Sequence, residues 1–499
     1  MLPVTDVETM RKSDAETIRG GISGRELMRR AAEGIWKAHV WRGPVAVICG
    51  SGNNAGDGYA LALLLFQAGI DCTVYLLREQ FSEDGAYYYE KCRENGIKTR
   101  YFTENCELTG YAEIVDCIFG TGFSGEVHGI AARAIEAINA SGAYVVSADI
   151  NSGLNGDSGD AALCVRSDLT VSIGAYKCGH FLGLSKDVIG TLCNVDIGIS
   201  LIGKTRYLTE KKDFTSVLKP RKNDSHKGVY GYVSLIGGCT EYAGAVKLAN
   251  LSCAALRSGC GVARLVVPHS LGSAVSPFLL ESTLALSPEQ DGKMIYDPAA
   301  LDRILAGQAA VAVGMGWGRS AEYTLILKHI LTRFSGNVVI DADGLNTLAE
   351  MDIDILKQAS CKVLLTPHLK EMERLSGYPI SEIRKHTVPI AEEFAAKYRI
   401  CLLLKGASTV ITDGNETYLV NRGCAGMATA GSGDVLSGVL AGLLGYHTVS
   451  PLVAACGAYI AGLAGELAQQ QNNPTSMIAS DTVSQISQAV SQMLDCGKD

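Results

Sequence analysis

A chain of 499 residues is long enough for two to four domains at roughly 100 to 200 residues each, and with 47% hydrophobic against 19% charged residues it can build sizeable cores. Disorder, a fibrous architecture and a single small module are excluded. The net charge of -8, from 44 basic against 52 acidic residues, supplies no whole-chain field for nucleic acid or anionic membrane, so any anionic ligand has to be held locally.

Residues 45–200 alternate short β-branched runs with amphipathic stretches. Strands are predicted at 45–49, 72–77, 113–119, 143–149, 169–173 and 192–197. Helices are predicted between them, notably at 57–68 and 130–140, the βαβ pattern of a parallel sheet covered on both faces. The strands end in Gly or Asp, and in such sheets ligands bind beyond the carboxyl ends of the strands. From 204 to 227 the chain turns charged, with K-T-R-Y-L-T-E-K-K-D-F followed by P-R-K-N-D-S-H-K-G. This places a boundary near Arg221 and divides the chain into 1–218 and 219–499. A second α/β series follows, with strands near 229–236, 263–267, 309–313, 337–340, 362–365 and 400–404. Asp413-Gly414 between two β-rich runs predicts a hairpin, and the chain beyond it reads as helices. Residues 435–465 hold no Asp, Glu, Lys or Arg. His447 and Pro451 split that stretch into runs of about a dozen, too short to span a bilayer, so two buried helices and no membrane partner are expected. No internal repeat relates the halves.

Glycine is the outlier: its 56 residues are about 11% against a usual ~7%, while Pro is only 12, so the excess serves loops with close backbone approach rather than linkers. The 16 Cys are scattered and no C-x-x-C occurs, which predicts reduced core thiols and a cytoplasmic setting. The opening M-L-P-V-T-D-V-E-T-M-R-K has no apolar h-region, so no secretory signal is expected.

Three glycine patterns differ in weight. G-I-S-L-I-G-K-T, 198–205, matches the phosphate-binding G-x-x-x-x-G-K-[ST] letter for letter. Its interior is apolar, and R-Y-L-T-E-K-K-D behind it makes a poor helix for aiming N–H groups, so a chance match is expected. G-S-G-N-N-A (Gly50, Gly52, Ala55) and G-T-G-F-S-G (Gly120, Gly122, Gly125) both satisfy G-x-G-x-x-[GA] after a strand. Alone, each is equally a tight strand-to-helix turn. Asn53, Asn54 and Asp57 add polar groups, and two such loops on one sheet would grip two phosphates. Neither loop brings a Lys or Arg, so that grip is expected to rest on backbone N–H groups and a helix dipole. In the second half G-M-A-T-A-G-S-G-D-V-L-S-G, 426–438, is a glycine turn opening an apolar helix. Its N–H groups form an anion hole for a transferring phosphoryl group, and Asp434 in the first turn is positioned to accept the proton of an attacking hydroxyl.

Four ordered motifs, G-S-G-N-N-A-G-D-G (50–58), D-C-I-F-G-T-G-F-S-G-E (116–126), A-D-I-N-S-G-L-N-G-D-S-G (148–159) and S-I-G-A-Y-K-C-G (172–179), together resemble the NAD(P)H-hydrate epimerase domain. The resemblance covers residues 1–215, with Ala55 where Gly is usual and Asn151 where Pro is usual. The 426–438 block resembles the ribokinase-like superfamily. With H-K-G-V-Y-G (226–231), I-G-G-C-T-E-Y-A-G-A (236–245), G-M-G-W-G (314–318), D-A-D-G-L-N (341–346), L-T-P-H-L-K-E (365–371) and L-K-G-A-S-T (404–409), it looks like ADP- or ATP-dependent NAD(P)H-hydrate dehydratase. Met315 and Trp317 replace the usual Pro and Leu between the glycines.

The resemblance implies an α/β fold, a Rossmann-like three-layer domain followed by a ribokinase-like α/β domain. It implies epimerisation of NADH or NADPH hydrated at C6, then dehydration of the S epimer at the expense of ADP or ATP. In the first domain it implies Asp149 as the acid/base residue, with Lys177 as a second candidate. Substrate contacts would come from Asn53, Asn54, Ala55, Gly56, Asp57, Gly120, Thr121, Gly122, Phe123, Ser124, Gly125, Glu126 and Asp149, and Asn54, Asp116 and Ser152 would ligate K+. In the second domain Ala245, Gly316, His368 and Asp434 would contact the hydrate, and Lys405, Gly406, Ala407, Ser408, Thr409 and Gly433 the nucleotide. Asp434 would deprotonate the 6-hydroxyl, and Mg2+-assisted phosphoryl transfer would turn that hydroxyl into a good leaving group. Asp149 as a helix or turn cap and His368 as a loop hydrogen-bonder stay open on the residues alone. The alternative is a ribokinase-like kinase for a vitamin alcohol such as a hydroxymethylpyrimidine, with a non-catalytic, dinucleotide-sensing first half. A homo-oligomer is expected by analogy only.

Overall fold

Val45–Cys49, Cys72–Leu76 and Glu113–Cys117 are buried at every position, as strands covered on both faces must be. The computed structural model describes residues 1–251 and 254–495, and divides into one unit over Leu2–Arg206 and a second from Tyr207 onward that also takes in Met1. Among the described residues of the first unit, a seven-stranded sheet runs in the spatial order Lys98–Tyr101, Cys72–Leu76, Val45–Cys49, Glu113–Cys117, Tyr144–Ala148, Ser167–Ile173, Ile189–Val195, with every pairing parallel. Alternate residues of one strand serve opposite faces. Val45, Val47 and Cys49 pack with the helices Gly24–Ala38 and Asn53–Gln67, whereas Ala46 and Ile48 pack with Gly129–Ala140. The helices Val7–Arg19 and Gly24–Ala38, capped by Asp6 and Ser23, and the short strand Lys98–Tyr101 have no counterpart in the sequence-level expectation.

Strand order reverses between Val45–Cys49 and Glu113–Cys117, which makes the crevice past their carboxyl ends the switch point where α/β sheets bind ligands. The two glycine-rich loops leave from these strands and touch. A Cβ on Gly50 would lie 2.1 Å from the Ile118 carbonyl oxygen, so only glycine lets them approach.

The second unit repeats the plan. Its sheet runs Thr283–Ser287, Val262–Pro268, Tyr232–Ile236, Ala310–Val313, Asn337–Ile340, Lys362–Leu365, Cys401–Leu404, all parallel, and then closes with antiparallel Thr409–Thr412 and Thr417–Val420. The last two form the predicted hairpin around Asp413-Gly414. Here order reverses between Tyr232–Ile236 and Ala310–Val313.

Two expectations move. The units divide between Arg206 and Tyr207, ahead of the 218/219 boundary suggested by the charged stretch. Phe214, Val217 and Leu218 are the reason: they are buried in the second core, where the Phe214 ring packs against Tyr459. The apolar stretch is split as expected into Ser432–Leu444 and a second run, but that run does not stop after a dozen residues. It forms the 21-residue helix Pro451–Gln471, with Pro451 in its first turn and Ser450 capping it, long and apolar enough to cross a membrane by length and composition. Of its apolar window 83% is buried inside the unit, as in a core helix. The P-loop look-alike is followed by no helix: 196–205 is irregular and leads into the strand Arg206–Leu208, so it aims no N–H groups at an anion.

Candidate active sites

In the first unit a cavity of about 520 Å³ opens at the switch point. Asp149 stands at its floor, directly after Tyr144–Ala148, with φ 65, a conformation non-glycine residues seldom adopt. Several contacts impose it. The Asp149 N–H donates to the Val171 carbonyl at 2.8 Å. His180 Nδ1 accepts the Lys177 N–H at 3.1 Å, which leaves Nε2–H to donate to the Asp149 carbonyl at 2.8 Å. Burial and then the Lys177 charge push the His180 pKa down to about 4, so the ring stays neutral in this role.

The Asp149 carboxylate receives the Lys177 ammonium at 2.5 Å and the Thr121 N–H at 3.1 Å. Lys177 is 1% exposed and also donates to the Ile173 carbonyl at 2.8 Å. Burial works to raise the Asp149 pKa, but the ammonium beside it outweighs burial, and the carboxyl is held below the ordinary range. A cap is not its role, because the Ser152 N–H is taken by Asp116 at 2.8 Å. Asp14 and Asp57 line the same cavity. Burial raises both; for Asp14 the Lys177 charge opposes the rise and Asp149 adds to it, and Asp57 is driven well above the usual value.

Beneath the loops, Asn54, Asp116 and Ser152 meet. Asp116 is fully buried and accepts from Ser152 Oγ at 2.5 Å, Ser147 Oγ at 2.9 Å and the Ile118 N–H at 3.2 Å. Asn54 Nδ2 donates to the Phe119 carbonyl at 2.9 Å, while its buried Oδ1 has no hydrogen-bond partner among the described residues.

Of the residues expected to contact substrate, Asn53, Asn54, Asp57, Gly120, Thr121, Gly122, Phe123 and Asp149 line the cavity, as does Lys177, the second acid/base candidate. Ala55 and Gly56 do not: Ala55 is core, and a Cβ on Gly56 would strike Met28 at 2.4 Å. Ser124, Gly125 and Glu126 lie outside the lining on an exposed stretch of loop. Neither loop brings a Lys or Arg of its own, but the expectation that the grip rests on backbone N–H groups and a helix dipole alone gains a cation from elsewhere in the chain. Arg11 lines the cavity, with Nη2 3.7 Å from where a Gly122 Cβ would sit.

In the second unit the chemistry gathers around Asp341, 2% exposed, at the end of Asn337–Ile340. Its Oδ1 accepts from Lys405 Nζ at 2.8 Å and its Oδ2 from Ser437 Oγ at 2.8 Å. Glu371 is 3.8 Å from the same ammonium. Next to Asp341, Ala342 has φ 49, and Asp343 accepts the Gly318 N–H at 2.8 Å. Gly431, with φ 94, opens the helix Ser432–Leu444, and Asp434 lies in its first turn. Burial raises the Asp434 pKa to about 7, with Asp341 adding, Lys405 opposing and Asp343 adding. That proton affinity suits a base working near neutrality.

Gly433 belongs to this cluster, since a Cβ there would lie 3.6 Å from Asp341 Oδ2 and Lys405 Nζ. Gly316, φ 64, crosses at the switch point so closely that a Cβ would lie 2.4 Å from the Tyr242 carbonyl and 3.0 Å from Ala245 Cβ. Met315 and Trp317 face the core and not the site, with Trp317 stacked on Tyr323. His368 caps the helix Leu369–Ser376, its Nδ1 accepting the N–H groups of Lys370 and Glu371, which favours the hydrogen-bonding reading. Ser408 is buried and its hydroxyl is spent on Asn421; Gly406 and Ala407 are exposed, and Thr409 begins a strand. Sequence reasoning did not single out Arg11, Asp14, His180, Asp341, Asp343, Glu371 or Ser437. Asp341, Asp343 and Ser437 lie inside motifs it quoted, whereas Arg11 and Asp14 lie in a helix it did not place.

Fold and sites define a two-domain α/β enzyme, in which a Rossmann-like unit with a lysine-paired aspartate precedes a ribokinase-like unit with an aspartate at a glycine-opened helix. The second unit's fold matches a ribokinase-like superfamily protein from Enterococcus faecalis (TM-score 0.50, 24% identity, 58% of this chain and 96% of that one) and a hypothetical protein from Streptococcus mutans (TM-score 0.51, 23% identity, 58% and 100%). Residues 23–179 match the family of the YjeF-related protein N-terminus, and residues 233–488 match NAD(P)H-hydrate dehydratase. Bifunctional NAD(P)H-hydrate repair enzymes from Moorella thermoacetica (35% identity, 88% of this chain and 85% of the relative), Thermofilum pendens (33%, 94% and 92%) and Coxiella burnetii (33%, 95% and 96%) align along nearly all of it. The chain belongs to the family of bifunctional NAD(P)H-hydrate repair enzymes.

Proposed function

We propose that this chain repairs hydrated NADH and NADPH: the first unit interconverts the R and S epimers at C6, and the second dehydrates the S epimer at the expense of ADP or ATP. The observation that carries this reading is the pair of opposed aspartates. Asp149 is kept ionised by Lys177 in a cavity of dinucleotide-loop design, and Asp434 holds a proton up to neutrality at a helix end built for phosphoryl groups.

In the first unit, Asp149 exchanges a proton with the 6-hydroxyl while the backbone N–H groups of Gly120 and Gly122 hold phosphate, the Thr121 N–H between them being taken by Asp149. The donor set beneath supports a K+ site: Asn54 Oδ1 is buried without a partner, and Asp116 and Ser152 add oxygens of the kind a hard cation takes. Bound there, K+ would offset the Asp116 charge, whose pKa burial raises despite its hydrogen bonds. In the second unit, Asp434 takes the 6-hydroxyl proton, the oxygen receives the terminal phosphoryl group, and phosphate departs as C5 loses a proton, restoring the dihydropyridine. Lys405 meets the nucleotide's charge. Among the described residues no group of three His, Cys, Asp or Glu is placed to hold a metal alone, which fits an Mg2+ that arrives on nucleotide phosphates and neutralises them. The unpaired thiols, Cys49 and Cys117 among them, support a reducing, cytoplasmic setting.

The test is one incubation of both epimers with Mg2+ and ADP or ATP, followed by chromatographic separation. Consumption of both, with NADH and inorganic phosphate appearing together, is expected. A stable phosphorylated product would instead mark a kinase.

A further inference from the structure

The helix Val7–Arg19 lies ahead of the segment 23–179 that matches the family model, yet it forms a wall of the first unit's cavity. Val7, Met10, Arg11, Asp14 and Ile18 all line it, and the spacing 7, 10, 11, 14, 18 is one face of an α-helix. The helix is fixed to the catalytic loops. The Val7 N–H donates to Asp157 at 2.8 Å, a Cβ on Gly156 would meet Val7 at 2.5 Å, and one on Gly174 would meet Met10 at 2.5 Å. Two charged side chains of this apolar face are therefore held over the floor that carries Asp149. Among the described residues neither Arg11, which is exposed, nor Asp14, which is half-buried, has a hydrogen-bond or ion-pair partner for its side chain, so both are available to a ligand in the cavity they line.

Resting on the epimerase reading, we propose that Asp14 is a second proton-transferring residue for inversion at C6, and that Arg11 on the same helix face receives the dinucleotide's phosphates. C6 of the hydrate is a hemiaminal carbon bonded to N1 and to the hydroxyl. Asp149, ionised, takes the hydroxyl proton as the C6–N1 bond breaks. The bond's electron pair goes to N1, Asp14 delivers its proton there, and C6 becomes an aldehyde. Rotation about C5–C6 presents the other face. N1 then attacks, its proton returns to Asp14, and the new alkoxide recovers the proton from Asp149. Both residues end as they began, and no oxidant or water is consumed. Asp14 suits the donor role better than Asp57. Burial raises both, but Lys177 is the largest influence opposing the rise at Asp14, whereas at Asp57 the Asp149 and Asp14 charges add to the rise ahead of Lys177. Arg11 stands where phosphates on the 120–122 loop need a cation.

The test uses the full-length chain and pure R hydrate of NADH without nucleotide, with R-to-S conversion followed by chromatography and S-hydrate dehydration measured as a control on the preparation. Asp14→Asn is expected to lower kcat about 100-fold with KM within about threefold, and Asp14→Glu to recover at least about a tenth of the rate. Arg11→Gln is expected to raise KM about tenfold and flatten its dependence on salt, with kcat held within about threefold. Asp14→Asn at wild-type kcat, or Asn and Glu variants equally slow, overturns the assignment of Asp14; an unchanged KM in Arg11→Gln overturns that of Arg11. Failure of the wild-type chain to convert R to S would sink the epimerase reading itself. Loss in Asp149→Asn alone sinks only this inference.

Discussion

Both units place an aspartate and a lysine at the carboxyl ends of parallel strands, Lys177 buried and Lys405 partly exposed, yet the two pairs are built differently. In the first, Lys177 binds Asp149 directly, and the carboxylate proposed to react is held below its ordinary pKa. In the second, Lys405 binds Asp341, and burial, with the Asp341 and Asp343 charges adding to it, raises the Asp434 pKa to about 7. A group that exchanges a proton in both directions is served by staying ionised. A base that must generate a nucleophile for phosphoryl transfer gains from higher proton affinity. The same two residue types thus do different work because the lysine sits on different partners.

The comparison is sharpest where one activity is removed and the other watched. Asp434→Asn is expected to lower dehydration of the S hydrate by about 10⁴-fold while R/S interconversion keeps its rate, both followed in one preparation. Asp149→Asn is expected to do the reverse, lowering epimerisation by about 10³-fold with S-hydrate dehydration intact. Loss of both activities in either variant breaks the division of labour. Gly50→Ala forces a Cβ against the Ile118 carbonyl and is expected to cost the first unit about 1 to 3 kcal/mol, seen as a lower midpoint for its unfolding alone.

The smallest effect is the most specific. Dehydration kcat/KM is expected to fall as pH drops through about 7, because Asp434 gains a proton and can no longer accept one. Epimerisation, with Asp149 depressed, should hold its rate well below that pH. Asp341→Asn removes a like charge beside Asp434, so the acid limb of dehydration should move down by about one unit. An unmoved limb would show that Asp341 does not set Asp434's basicity.

Legibility in the sequence followed burial and locality. Strands such as Asn337–Ile340 and Lys362–Leu365 are found where their apolar runs predict them, because a strand buried on both faces leaves no other pattern. Asp434 is visible because it sits beside glycines that open its helix, whereas Asp149, at a strand end, is legible only through the resemblance of its motif to the epimerase domain. Asp341 and Ser437 act through contacts 96 residues apart in the chain, and no short motif encodes such a pairing. Ala55, Gly56 and Ser408 belong to recognisable loops, but Ala55 is turned into the core, Gly56 packs against Met28, and the Ser408 hydroxyl is spent on Asn421. The charged stretch misplaces the boundary because Phe214, Val217 and Leu218 are buried in the second core while the residues around them are charged.

The central claim is that two separate aspartates in one chain act in succession on the two epimers. Its most direct test is the course of NADH recovery from an equal mixture of R and S hydrate with Mg2+ and ADP or ATP, comparing the wild-type chain with Asp149→Asn. The wild type should convert the whole mixture, and the variant should consume the S half at the wild-type rate and then slow to spontaneous epimerisation with R hydrate left over. Complete conversion by Asp149→Asn at the wild-type rate would contradict the account.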